Sequence, residues 1–156
     1  ENAPLYLDMK VEKYLQFVAK LHRVQNVNEQ VNKVMEELSL TAVRGRMIGN
    51  LSKGFKQRVG LAQAIVYDAP FLILDEPTAG VDVELRTQLW DYVKELNRKG
   101  TTILLTTHYL EEAQQLCDKI AIINNGKIIA NDSKKNLLKN LNGIKLFTVQ
   151  TIASNQ

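Results

Sequence analysis

The sequence predicts an α/β fold in which helices precede a largely parallel sheet, and three observations carry that reading. Phe71-Leu72-Ile73-Leu74 and Ile103-Leu104-Leu105 are short apolar runs of strand length, read as buried strands, the first of them on both faces. Between them, residues 82–98 place Val83, Leu85, Leu89, Trp90, Val93 and Leu96 at helical spacing, and Lys99-Gly100 stops the helix. Two apolar strands joined by a helical crossover lie parallel in one sheet, so both send their carboxyl ends to the same edge.

Composition fits one ordinary globular domain. The 156 residues are 45% hydrophobic and 24% charged, enough for a real core. Twenty Lys+Arg against 17 Asp+Glu give a net charge of +3, scattered along the chain, so an anionic partner is tolerated without being required. The single cysteine, Cys117, cannot form an internal disulfide, which fits a reducing compartment; on a short helix it reads as a small hydrophobe. No apolar run approaches the roughly 18 residues of a membrane span, and no signal peptide opens the chain, so a membrane role is expected to need a partner. Glu1 in place of Met, followed by the loop-like Asn2-Ala3-Pro4-Leu5-Tyr6, leads us to expect a fragment or a processed product.

Taken in order, residues 8–24 read as a helix capped by Asp8, with Val11, Tyr14, Leu15, Val18 and Leu21 on one stripe. Residues 26–38 repeat the signal through Val27, Val31, Val34, Met35 and Leu38, behind an Asn26 or Asn28 cap. Residues 40–50, with Gly45 and Gly49, form a connector. Ser52 caps a third helix that runs through Val59, Ala62 and Ile65 to Tyr67. After the second strand, 109–117 is a short helix, and 119–124 and 127–130 flank Asn124-Asn125-Gly126, a strong hairpin signal. Residues 133–141 form an amphipathic helix with Lys134, Lys135 and Lys139 outward. A last strand is expected through Ile144, Leu146, Phe147 and Val149, with a fraying end at 153–156.

Three places carry chemistry. The first strand stops on Asp75-Glu76, and Pro77 ends its ladder, which puts two acids where open α/β sheets bind ligands. One acid can hold Mg²⁺ while its neighbour polarises a water, although an acidic pair alone is more often an ordinary strand end. At Ser52, free backbone N–H groups, a partial positive charge and a hydroxyl converge, and Gly54 lets a phosphate approach the backbone; a plain capped helix is the competing reading. His108 ends the second strand and therefore shares an edge with Glu76.

Together these motifs resemble the nucleotide-binding domain of ATP-binding cassette (ABC) transporters. Leu51-Ser52-Lys53-Gly54-Phe55 looks like the signature loop, Phe71 to Glu76 like the Walker B strand, Ala79-Gly80-Val81-Asp82 like the D-loop, and Thr107-His108 like the switch histidine. The match runs from about residue 1 to about residue 132, and the Lys-Gly-Phe variant with the opening at Asn2 looks like ABC-2 multidrug exporters. The resemblance implies a partial P-loop NTPase (RecA-like) ABC ATPase fold: a helical subdomain over 1–67, the distal half of the ATPase core over 68–132, and a helix and tail over 133–156. It implies that Asp75 helps bind Mg²⁺, that Glu76 activates the attacking water, and that His108 contacts the γ-phosphate. Ser52, Lys53, Gly54, Phe55 and Asp82 would face ATP held by a second nucleotide-binding domain in a head-to-tail dimer. A transmembrane permease subunit would be the other partner, at the cytoplasmic face of a membrane, and no nucleic acid is expected.

Two departures matter. Lys53 and Phe55 stand where the commonest signature has Gly and Gln. More seriously, Gly-x-x-x-x-Gly-Lys-Ser/Thr is absent, so the cradle for the β- and γ-phosphates is missing, and the A-loop aromatic and Q-loop glutamine are expected upstream of Glu1. The chain alone is therefore expected to bind ATP weakly or not at all, and to expose apolar edges that make it poorly stable. Two alternatives stand beside the exporter ATPase: a soluble ABC-type ATPase acting on ribosomes or nucleic acid, and a non-catalytic remnant.

Overall fold

The computed structural model describes residues 5–140 and 149–153. Two compact units emerge, one of Glu1–Ala69 with Thr78–Leu89, the other of Pro70–Pro77 with Trp90–Gln156.

The first unit is helical. Helices α1 (Val11–Leu21), α2 (Val27–Glu37) and α3 (Lys53–Ile65) share one core, and two 3₁₀ turns, Thr41–Val43 and Ile48–Asn50, fill the connector. The core is built from the apolar stripes: Val11, Tyr14, Leu15 and Val18 of α1, Val31, Val34 and Met35 of α2, Val59, Ala62 and Ile65 of α3. The expected Asp8 cap is corrected. Helix α1 begins at Val11 behind Lys10, because the connector satisfies its first donors: Val11 N–H and Glu12 N–H donate to the carbonyls of Arg46 and Arg44, and Lys10 bridges Met47. Asn26 does precede α2, but its side chain makes no cap bond. Leu21, placed on the α1 stripe, is exposed.

The second unit carries the sheet. Strand β1 (Phe71–Asp75), helix α4 (Val83–Arg98, of which Trp90 onward lies here), β2 (Thr102–Thr107), helix α5 (Leu110–Leu116), β3 (Lys119–Asn124), β4 (Lys127–Ser133), helix α6 (Lys134–Asn140) and β5 (Val149–Ala153) follow in turn. The spatial order is β1-β2-β5-β3-β4. Strands β1 and β2 are parallel, as the crossover requires, and pair Phe71 with Thr102 through Asp75 with Thr106. Strand β5 lies antiparallel between β2 and β3. Asn125 and Gly126 both take positive φ at the β3–β4 turn, the conformation that a tight two-residue hairpin needs.

The expectation of a strand buried on both faces is also corrected. Leu72 and Leu74 are buried, but Phe71 is 49% and Ile73 64% exposed, so β1 alternates. The register puts Leu72 beside Ile103 and Leu74 beside Leu105 on one covered face, and leaves Phe71, Ile73 and Asp75 on the other. Ile128 and Ile129 of β4 are exposed too. Cys117 is buried, as a small hydrophobe. Lys134, expected to point outward, reaches back and donates from Nζ to the Gln114 carbonyl. Of the expected last strand, Ile144, Leu146 and Phe147 lie outside the described residues, as do residues 154–156 of the expected fraying end.

Candidate active site

In the second unit the parallel register determines the site. Asp75 ends β1 opposite Thr106, the penultimate residue of β2, and the chain turns out of both strands immediately afterwards. Thr106 Oγ1 donates to Asp75 Oδ1, which orients that carboxylate. Glu76 N–H donates to the Thr106 carbonyl at 3.0 Å and also reaches Thr106 Oγ1 at 3.2 Å. Glu76 holds φ +45°, a left-handed conformation that costs a non-glycine residue about 1 kcal/mol or more. That turn swings its side chain to His108, whose Nδ1 lies 3.0 Å from Glu76 Oε1. The two residues are 32 positions apart in sequence and meet only because β1 and β2 end together. The His108 ring is 45% exposed and the Glu76 side chain 27%, so the pair opens to solvent on one side.

Chemically, this edge offers carboxylates, a hydroxyl and an imidazole. With Glu76 ionised, Nδ1–H of His108 is the donor and Nε2 is left for a ligand. Among the described residues no cluster of three or more His, Cys, Asp or Glu side chains converges as a metal cage. Two adjacent carboxylates are nevertheless the donor type that Mg²⁺ takes when it arrives with phosphate oxygens and water, so Asp75 fits such an ion and not a thiolate- or imidazole-bound metal. The chain has no Gly-x-x-x-x-Gly-Lys-Ser/Thr loop, so its residues do not by themselves fit the triphosphate.

In the first unit the other candidate residues gather where α3 and α4 begin. Ser52 Oγ accepts from Phe55 N–H at 3.4 Å and caps α3. Asp82 Oδ1 accepts from Leu85 N–H at 2.9 Å and caps α4. The two caps are held against each other by small residues. A Cβ on Gly54 would come within 2.8 Å of the Leu85 side chain, and one on Gly80 (φ +69°) would fall 2.2 Å from Lys53 Nζ. Lys53 thus lies over the turn before α4. Arg58 stacks over the Phe55 ring at 4.5 Å and donates to the Leu38 and Ser39 carbonyls. Burial draws its guanidinium below the ordinary arginine range, and Asp82 partly opposes this.

The structure therefore brings Asp75, Glu76 and His108 together in one unit, and Ser52, Lys53, Gly54, Phe55 and Asp82 together in the other. Thr106 is the site residue that motif reading passes over. Its only sequence signal is its register opposite Asp75, which becomes visible once both strands are aligned on their apolar runs.

The ABC transporter family profile matches residues 3–79. The chain belongs to the ABC transporter family. It is 32% identical over its whole length to the linearmycin resistance ATP-binding protein LnrL of Bacillus subtilis, covering 51% of that protein. It is 39% identical over 80% of its length to the daunorubicin/doxorubicin resistance ATP-binding protein DrrA of Streptomyces peucetius, covering 39% of it. A solved ATP-binding subunit of an ABC transporter superposes with a TM-score of 0.80 at 28% identity, over 93% of this chain and 62% of that one. The fold is thus that of an ABC ATPase. The chain spans about half or less of the length of these curated relatives. Proteins of this ABC family are ATP-binding components of transporters, and multidrug and export types are prominent among the relatives.

Proposed function

We propose that this chain supplies the hydrolytic edge and the signature loop of an export-type ABC ATP-binding subunit. The observation that carries the reading is the 3.0 Å contact between His108 and Glu76, made across two parallel strands beside Asp75. In this reading Glu76 takes the proton from the attacking water, and His108, in its doubly protonated form, donates from Nε2–H to the γ-phosphate oxygens where charge develops. Asp75, oriented by Thr106, would hold Mg²⁺, which supplies charge neutralisation on the phosphates when bound. Phosphoryl transfer asks mainly for positioned charge, and this edge has that character.

Ser52, Lys53, Gly54, Phe55 and Asp82 take the complementary role. At the starts of α3 and α4 they face ATP held by a second nucleotide-binding domain, so turnover requires a head-to-tail dimer. The helical unit engages a transmembrane permease subunit from the cytoplasmic side, and closure of the dimer drives that subunit between its access states. The resistance-protein names of the relatives support an export direction. We assign residues 1–67 to the helical subdomain, 68–132 to the distal core and 133–156 to a terminal helix and tail.

The test is nucleotide binding and turnover. This chain alone is expected to bind ATP with an affinity well short of micromolar, because it lacks the phosphate loop; a micromolar Kd by calorimetry would overturn the division of labour. Supplying the loop in cis or in trans should restore Mg²⁺-dependent hydrolysis. Replacing Glu76→Gln should then remove hydrolysis by about 10²-fold or more while nucleotide binding persists.

A further inference from the structure

We infer that Glu112 and Trp90 are positioning residues for His108, acting through the first turn of α5. Glu112 is only 1% exposed and Trp90 7%, and Trp90 Nε1–H donates to Glu112 Oε1 at 2.9 Å. A buried carboxylate costs several kcal/mol before its bonds are counted, far more than an apolar residue at the same place. Within α5 the buried residues are Glu112 and Ala113, and buried Cys117 follows at the C-terminal cap. What the acid adds is a directional tie between α4 and α5, made by residues 22 positions apart in the same unit.

That tie bears on His108. Its ring is 45% exposed, and its ring contacts are the Glu76 carboxylate and the tilted Tyr109 ring at 4.1 Å. So open a ring is aimed by its backbone more than by its neighbours. On the strand side the backbone is pinned by Thr107, 2% exposed, whose Oγ1 accepts from Tyr109 N–H at 3.0 Å. On the helix side it is pinned by the first turn of α5, where Ala113 N–H donates to the Tyr109 carbonyl and Glu112 is fixed to Trp90. His108 sits between the two pins. The inference rests on the proposed role of His108 only for its catalytic consequence; the positioning itself is separable.

The test uses both properties. The chain has two histidines, and His22 belongs to the other unit, so it serves as an internal control in ring Cε1–Hε1 spectra. Trp90→Phe keeps a ring and removes the donor, Glu112→Ala removes the acceptor, and Glu112→Gln keeps an acceptor oxygen. The His108 resonance is expected to shift and broaden about twofold or more, with microsecond-to-millisecond exchange, in Trp90→Phe and Glu112→Ala. Glu112→Gln should restore the parent spectrum, and His22 should not move in any variant. If Glu112→Ala unfolds, His22 moves with it, and Trp90→Phe against Glu112→Gln decides. An unchanged His108 resonance in Trp90→Phe overturns the inference. In a chain completed by a phosphate loop, Trp90→Phe should lower kcat roughly ten- to a hundredfold with KM for ATP unchanged. A rise in KM alone overturns it as well. A displaced His108 with unchanged kcat upholds the positioning and overturns instead the catalytic role given to His108.

Discussion

Replacing Thr106→Val removes one hydroxyl at the centre of the candidate site and leaves the strand intact. Thr106 Oγ1 makes two contacts. The one it accepts from Glu76 N–H, at 3.2 Å, is secondary, because the same N–H reaches the Thr106 carbonyl at 3.0 Å. The one it donates to Asp75 goes to a charged acceptor, a class worth about 1.5–3 kcal/mol net when well made. Asp75 is exposed, so water takes over much of that bond on substitution, and about 0.5–1 kcal/mol remains as the cost. Valine returns a few tenths of a kcal/mol through its better fit to a strand.

A single variant would therefore be hard to read, and a double-mutant cycle with Asp75→Ala isolates the contact. The assay is urea unfolding of the four proteins, and the expected coupling is about 0.5–1 kcal/mol. Contributions that each substitution makes independently of the other cancel in the cycle, which leaves the coupling between these two strand partners. A coupling within about 0.3 kcal/mol of zero would refute the claim that Thr106 orients Asp75. The hydroxyl would then be a bystander, and the Mg²⁺ role given to Asp75 would lose its support from the geometry.

Two further outcomes follow from the surface. Phe71 and Ile73, 49% and 64% exposed on the uncovered face of β1, should drive self-association of the free chain. The double variant Phe71→Thr/Ile73→Thr forfeits only the buried part of about 1.5–3 kcal/mol per side chain, so it should stay folded and stay monomeric at about tenfold higher concentration by light scattering; unchanged association would locate the driving surface elsewhere. On the acid side, the Glu95 carboxylate lies below its ordinary range, chiefly because Arg98 donates to it, and Asp132 lies below its own because of Asn136 and the Ser133 N–H. A depressed carboxylate contributes stability that is present above the unfolded value, about 4, and lost as pH falls through the lower folded one. Glu95→Gln with Asp132→Asn should flatten the stability curve below about pH 4, and an acid limb of unchanged slope would exclude both groups.

What could be read in the sequence, and what could not, divides along a physical line. The helical stripes, the Ser52 cap, the hairpin at Asn125-Gly126 and the parallel pairing of the two apolar strands all depend on local chemistry or on one crossover rule, and they stand in the structure, except that Leu21 and Val83 of the stripes are exposed. From that pairing the meeting of Glu76 and His108 follows, since both leave the same edge. The failures are failures of environment. A run of four apolar residues does not say whether one face or two is covered, and Phe71 and Ile73 lie on the open one. Asp8 is a good cap by residue type, but the Arg44 and Arg46 carbonyls reach the α1 donors first.

Glu112 shows the same limit most sharply. In sequence it is one of two acids in a first helical turn, where the helix dipole favours negative charge and a solvated side chain is the ordinary outcome. Its neighbour Glu111 is exposed, as that reading expects, while Glu112 is buried on an indole that the sequence places 22 residues away. No local pattern separates the two acids; a rotation of about 100° between successive helical positions does. A residue whose chemistry is set by its own neighbours in the chain can be read in advance. One whose chemistry is set by the partner it is turned toward must wait for the fold, and the residues that aim His108 and Asp75, namely Glu112 and Thr106, are of the second kind.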